Sequence, residues 1–297
     1  MAKKKNVDYF LKYPWLEKYN TVEEYIQPDY YDSILKNYSF QEKDDLEYFK
    51  ECVLKCHISR ALELGSGSGR ATEVFLHNSD APLTLVDLSK RMLKYTSNKF
   101  KNHESISYEN MDALEYMRKT NDSYDFVYTL WSFSHSVHQH VKRLGFSKAK
   151  NYTRKTINKF ISQNLTANGT FFLIHFDSMS PEQKILMRQW KRVNKRLQDI
   201  KQQSPSKRIL DDIFHSIDNR GSVRLSVQHL KGDPIYYKSA DELLEVFMNF
   251  HLETFFNHHK LLSTVADDII KQIEQYRQDD GTYRVDPGCY IYKLTKL

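Results

Sequence analysis

Nine residues constrain this chain more than any other stretch: Ala61 to Gly69, reading ALELGSGSG. Leu62 and Leu64 supply the apolar side chains of a buried strand. Gly65, Gly67 and Gly69 remove Cβ atoms where φ is positive or where a ligand presses on the main chain. RATEVFLHN follows with the composition of a helix, so the glycines are expected between a strand and a helix N-terminus, the geometry of a nucleotide-type binding loop. Their spacing does not fit the dinucleotide fingerprint, whose third glycine would fall at Arg70, and an oxidoreductase is disfavoured. A tight turn with no ligand is the simpler alternative, and the residues that follow decide between the two.

PLTLVDLS predicts a second strand, Leu83 to Val86, ending in Asp87. Asp87 lies about twenty residues beyond the glycines, where a carboxylate accepts hydrogen bonds from ribose hydroxyls; the alternative is a capping aspartate. Ser89 is the expected N-cap of the next helix. ISYENMDALEYM predicts a short strand around Ile106 and Tyr108, followed by Asp112, for which a helix N-terminal role is the alternative. YDFVYTLWSFSHSVHQH predicts a strand from Asp125 to Leu130, then a loop carrying Trp131, Ser132, Ser134, His135, His138 and His140. Ligands of open α/β sheets bind beyond the carboxyl ends of the strands, so this loop is expected to line the site. A turn at Asn168 and Gly169 and a strand from Thr170 to Phe176 complete the series.

The E-x-G-x-G-x-G form, with Glu63 two residues before the first glycine, resembles motif I of the class I, small-molecule type S-adenosylmethionine (SAM) dependent methyltransferases. Asp87, Asp112 and Gly169 follow in that family's order, so the resemblance covers roughly residues 58 to 177. It implies an α/β fold: a doubly wound, mainly parallel seven-stranded sheet with helices on both faces. It also implies SAM as cofactor. Glu63 would place the ammonium group, and Gly65, Gly67 and Gly69 would pass beneath the methionine part. Asp87 would hold the ribose, Leu88 and Leu130 would flank the cofactor, Asp112 would take the adenine amino group, and the amide of Ala113 would read the ring.

Of the 297 residues, 40% are hydrophobic and 13% aromatic, enough for one domain with additions. Residues 1–56 are expected to be an N-terminal helical cover rich in Tyr and Phe, interrupted at Pro28. Tyr30 and Tyr31 are candidates to face the substrate, with aromatic packing as the alternative. By the resemblance, residues 57–177 are expected to form the SAM-binding core. Residues 178–239 are expected as an inserted helical cap, with helices from Glu182 to Lys201 and from Ile209 to Ile217 and a possible strand in SVRLSVQHL. Residues 240–297 would complete the sheet: a helix in SADELLEVFMNF, a strand in HLETFFNHH, a helix from Leu261 to Arg277 and a last strand in GCYIYKL. Polar residues follow the basic MAKKK and no apolar run is long enough to span a bilayer, so a cytoplasmic location is expected. Cys52, Cys56 and Cys289 are read as reduced thiols, the first two packed on one helix.

Methyl transfer from a sulfonium requires alignment, exclusion of water and, for a protonated acceptor, a base. His135, and after it His138, are the candidates for base or acceptor-orienting group, with a hydrogen bond to backbone as the alternative; Trp131 is a candidate substrate contact. A metal site at His135, His138 and His140 is disfavoured because no carboxylate lies between Asp125 and Asp177, and no metal is expected. Leu130-Trp131-Ser132-Phe133 lacks the D/N-P-P-Y/F motif of amino-methylating nucleic-acid enzymes. No cysteine stands there for cytosine C5 chemistry, and no glutamate occurs from Phe126 to Pro181 for the protein-arginine enzymes. O- or N-methylation of a small metabolite remains.

Net charge is +6, with nine Lys or Arg between Pro181 and Arg208 and seven between Val141 and Lys159. These stripes suit an anionic metabolite, or RNA, a partner possible but not favoured; a solvated helix face is the plainer account. An RNA methyltransferase and a non-catalytic SAM-binding or interaction protein are therefore the alternative functions.

Overall fold

The computed structural model describes residues 9–18, 28–193, 202–252 and 260–297. Helix α1 (Pro28–Leu35) and helix α2 (Asp45–Val53) precede strand β1 (Ala61–Leu64). Asp44 starts α2 with a capping box, accepting from the Glu47 amide while the Glu47 side chain accepts from the Asp44 amide. The core then alternates: α3 (Arg70–Asn78), β2 (Leu83–Asp87), α4 (Lys90–Lys99), β3 (Ile106–Asn110), α5 (Ala113–Lys119), β4 (Tyr124–Leu130), α6 (Phe133–Leu144), α7 (Phe146–Gln163) and β5 (Leu165–Phe176). Ser89 and Asp112 cap α4 and α5 through their side chains. All four residues of β1 are buried, as befits a central strand covered on both faces.

The sheet has seven strands in the order β3-β2-β1-β4-β5-β9-β6, where β6 is Val223–Lys231 and β9 is Gly288–Lys296. β9 runs antiparallel to both neighbours, so every other strand shares one direction. Strand order reverses between β1 and β4, and at such a switch point the loops diverge and leave a crevice at the carboxyl ends. One face of the sheet is covered by α5, α6, α7 and α9 (Pro205–Asp218), with Phe133, Phe160 and Phe214 buried there. The other face packs Phe49 of α2 and Phe75 of α3 against Phe126 and Tyr128 of β4. The doubly wound sheet expected from the motif order is the one observed.

The boundaries expected after β5 need correction. SVRLSVQHL is β6, a member of the main sheet that pairs along its whole length with β9. Residues 178–239 are therefore not one insertion: α8 (Pro181–Val193) and α9 lead into a sheet strand. The additional elements lie between β6 and β9 instead. They are a two-stranded sheet of β7 (Ile235–Tyr237) and β8 (Tyr283–Val285), helix α10 (Ala240–Val246), a π-helical turn (Phe247–His251) and helix α11 (Leu262–Ile273). The strand expected in HLETFFNHH begins at His251 inside that π-helical turn; residues 253–259 lie outside the described residues, as does the end of the helix expected to reach Lys201. This region is tied to the N-terminal segment by a buried cluster in which Tyr38 OH donates to Glu182, and His251 Nε2 lies 3.0 Å from Tyr38 OH and 3.3 Å from Glu182 Oε1. No helix of the described residues is long and apolar enough to cross a membrane.

Candidate functional site

At the switch point lies a cleft that is partly open to solvent. Its floor is the glycine loop, where Gly65, Gly67 and Gly69 have φ of +79°, +51° and +82°. The three serve different needs. A Cβ on Gly65 would strike Ser132 and one on Gly69 would strike the Phe100 ring, whereas a Cβ on Gly67 would project into open space. Only Gly65 and Gly67 line the cleft; Gly69 stands behind it as the residue before α3.

Glu63, expected to meet an ammonium group, is 3% exposed and lines the cleft. Its Oε2 accepts from Thr72 Oγ1 (2.5 Å) and Tyr128 OH (2.9 Å). Burial raises its pKa to about 8, although both hydroxyls favour the charged form. Asp87 Oδ2 accepts from the Gly67 amide and Oδ1 from the Ser89 amide, each at 2.8 Å. One carboxylate thus holds both the glycine loop and the start of α4, and burial raises its pKa against those two bonds. Each oxygen keeps capacity for a further donor such as a ribose hydroxyl. Leu88 beside it is 47% exposed at the cleft.

Asp112 caps α5 through Oδ1, accepting from the Glu115 amide, and its Oδ2 accepts from Ser136 Oγ at 2.7 Å. Capping and cleft-lining are therefore compatible at this residue. Ala113 and Leu130 complete the expected wall.

The segment after β4 is not a loop but helix α6. It carries His135 to the cleft, while His138 faces away and its Nε2 accepts from the Ser206 amide at 3.4 Å. Burial, with His135 and His175 nearby, pushes the pKa of His138 down to about 3. His140 is buried, its ring stacked on Tyr152 and its Nδ1 2.9 Å from the Ser136 carbonyl. Trp131 has φ +66°, and its indole N–H donates to Asp45 Oδ2 at 2.6 Å. Of the two tyrosines on α1, Tyr31 lines the cleft and packs on Phe250, with ring centroids 4.8 Å apart; Tyr30 does not reach it.

Ser132, named on the segment expected to line the site, does line the cleft; Ser66, Ser68, Arg70, Met92, Ser136 and Gln139 also line it and were not expected there from the sequence. Ser66 and Ser68 sit between the marked glycines and were the most accessible to that reading. Ser136 and Gln139 carry no motif and arrive only because α6 folds over the opening.

Residues 61–156 match the family model for a methyltransferase domain. By this match, residues 61–156 are a methyltransferase domain. The methyltransferase domain has structural relatives that share its sheet and surrounding helices. The YcgJ protein from Bacillus subtilis is 14% identical, with 84% of this chain and 97% of that one covered at a TM-score of 0.53. A protein of Bacillus halodurans C-125, provisionally described as a methyltransferase, is also 14% identical, with 85% and 98% covered at 0.51. At these identities the likeness speaks to the fold. Comparison of the sequence with curated proteins gives no match.

The cleft of the methyltransferase domain fits the adenosyl cofactor by two tests internal to the structure. Ser66 Oγ is buried there without a hydrogen-bond partner, and Gly67 leaves open the space that a side chain would fill. The donor set suits a cationic amino acid joined to a nucleoside: Glu63 at one end, Asp87 in the middle and Asp112 at the other.

Proposed function

We propose that the chain is a SAM-dependent methyltransferase acting on an oxygen or nitrogen of a small metabolite. The observation that carries this reading is the single cleft shared by Glu63, Gly67, Asp87 and Asp112 on one side and Trp131, Tyr31 and His135 on the other. When bound, SAM supplies an electrophilic methyl group on a sulfonium that is already a leaving group. The protein's part is placement and proton management. Glu63 holds an ammonium, Asp87 the ribose hydroxyls, and Asp112 with the Ala113 amide the adenine edge. Tyr31 and Leu35 of α1 line the cleft and would help exclude water from it once the ligands are bound. His135 accepts the acceptor's proton or orients its nucleophile; His138, turned toward Ser206, has no such role.

The charge pattern supports a metabolite over a nucleic acid. Lys150 and Arg154 of the first basic stripe pair with Asp212, and Arg188 and Arg192 of the second pair with Asp268. The cleft itself is lined by three carboxyl groups, those of Glu63, Asp87 and Asp112, against Arg70, so an anionic acceptor is not what its lining favours.

Calorimetric titration with S-adenosylhomocysteine (SAH), with NADH as control, tests the cofactor. Incubation of cell extracts with labelled methyl donor then tests the acceptor. SAH binding and label in a low-molecular-weight product are expected. Label in RNA would replace the metabolite reading, and SAH binding with no labelled product would favour the non-catalytic one.

A further inference from the structure

The cleft contains an arginine where the incoming cofactor is a cation. Arg70 is the first residue of α3, directly after the glycine loop. Its guanidinium is paired bidentately with Asp45 of α2: NH1 to Oδ2 at 3.1 Å and NH2 to Oδ1 at 2.9 Å. Asp45 is 1% exposed, and its Oδ2 also accepts the Trp131 indole N–H at 2.6 Å. Trp131 has a backbone conformation disfavoured for a bulky residue, at φ +66°, and its ring is wedged against Phe176 and Phe40 at centroid distances of 4.5 and 5.9 Å. One buried carboxylate from the N-terminal segment thus meets both the start of the cofactor-loop helix and the start of the acceptor wall.

We infer that Asp45 is a positioning residue for this site, cancelling the charge of Arg70 so that the cleft accepts a sulfonium and pinning Trp131 as the wall beside it. The inference rests on reading the cleft as the SAM site. Burial disfavours the charge on Arg70, and Asp45, with Asp32 further off, outweighs that, so the guanidinium stays cationic and needs its counter-charge. Without the carboxylate, an uncompensated positive charge lines the cleft. SAM carries one positive charge more than SAH, so an electrostatic role acts unequally on the two ligands, whereas general loosening of the fold acts on both alike.

The experiment is titration of the full chain with SAM and with SAH for the wild type, Asp45→Asn, Asp45→Asn/Arg70→Gln and Trp131→Phe. The asparagine side chain keeps one oxygen, which can still accept from the indole and from Arg70 NH1, and loses the charge together with the oxygen that accepted from Arg70 NH2. Expected for Asp45→Asn is a fall in SAM affinity about fivefold to tenfold greater than the fall in SAH affinity, the scale of one unit charge acting at a distance through a polar site. Arg70→Gln in the same chain should restore the ratio, and Trp131→Phe should weaken both ligands equally. A cooperatively melting Asp45→Asn variant with an unchanged SAM-to-SAH ratio would overturn the inference. Should Asp45→Asn not fold, Arg70→Gln in the wild-type background decides: it leaves the Asp45 carboxylate uncompensated, so the ratio must move toward SAM, and an unmoved ratio overturns the inference. Failure of the wild type to bind either ligand overturns the cofactor reading, and this one with it.

Discussion

Ser132 Oγ occupies the place where Gly65 would carry a side chain: a Cβ on Gly65 would stand 2.1 Å from it. That hydroxyl donates to the Leu64 carbonyl at 2.8 Å, so the end of β1 and the start of α6 are closed on each other below the cleft.

Gly65→Ala and Gly67→Ala should therefore fail in different ways. At Gly65 the added methyl meets a fixed side chain and a φ of +79°, and the expected cost is about 2–4 kcal/mol of stability. At Gly67 space is open, the cost is about 1 kcal/mol from the left-handed backbone alone, and the methyl enters the cleft. Thermal melts should show Gly65→Ala strongly destabilised and Gly67→Ala nearly native, while calorimetry shows the latter unable to bind SAH. Normal SAH binding by Gly67→Ala would remove the loop from the cofactor site.

Glu63 predicts a pH dependence of binding. Its folded pKa of about 8 lies above the ordinary glutamate value, so near neutrality the side chain is protonated. An ammonium beside it favours the carboxylate, so binding releases a proton and affinity rises with pH up to about 8. Titrations at pH 7 in buffers of different ionisation enthalpy should reveal the released proton, and Glu63→Gln should abolish it. Stability has the opposite sign: ionising Glu63 is costlier in the folded state, so its contribution is lost as pH rises from the ordinary glutamate range toward 8. Binding heats that do not vary with buffer would contradict this.

Asp87→Ala should cost more than a ribose contact. The carboxylate accepts from the amides of Gly67 and Ser89, and losing these charge-assisted bonds is expected to take about 1–3 kcal/mol from stability as well as a similar amount from SAH binding. Chemical denaturation and calorimetry on the same preparation measure the two losses. A variant with native stability would show that the loop does not depend on this carboxylate.

The histidines should separate cleanly. With an acceptor in hand, His135→Gln is expected to reduce turnover about 100-fold or more while leaving SAH affinity intact. His138→Gln should spare turnover and lower stability by about 1–2 kcal/mol, through the hydrogen bond it accepts from Ser206. Equal losses of turnover in both would reinstate His138 as a participant.

The Glu182–His251 pair predicts an acid limit. Burial alone would raise the Glu182 pKa, but His251 and the hydroxyl of Tyr38 outweigh it and hold the carboxyl below the ordinary range. The stability it contributes is present above that range and lost as pH falls through the folded value. Glu182→Gln removes the carboxylate that accepts from Tyr38 OH, and a loss of about 1–3 kcal/mol is expected in denaturant titration near neutral pH. A loss below about 1 kcal/mol would contradict a Glu182 carboxylate held charged by this cluster.

Legibility followed sequence distance. Asp87 could be placed at the end of β2 beside the glycine loop because the loop-to-strand spacing of a βαβ unit is short and regular, and the same holds for Asp112 at the start of α5 and for the order of the first five strands. Arg70 was seen only as a break in a glycine pattern, since its partner Asp45 lies on a helix of the N-terminal segment. The strand β6 escaped assignment to the sheet because it is an edge strand with most residues exposed, so it has no buried alternation to read. His135 ranks ahead of His138, three residues on, but the sequence holds nothing that excludes either. Only the packing of α9 against α6, which places Ser206 beside His138, separates them.

The sequence by itself determined the local units: a glycine-bearing turn after a buried strand, acidic residues at two strand ends, and the alternation that forces a doubly wound sheet. Those outcomes depend on backbone conformation and on periodicity, which act within a few residues to a few tens. Tertiary structure decided which side chains share the cleft, that Asp45 neutralises Arg70, that Glu63 is desolvated into a protonatable group, and that the additional helices lie between β6 and β9. These depend on burial and on contacts between segments far apart in the chain, and neither exists until the layers have packed.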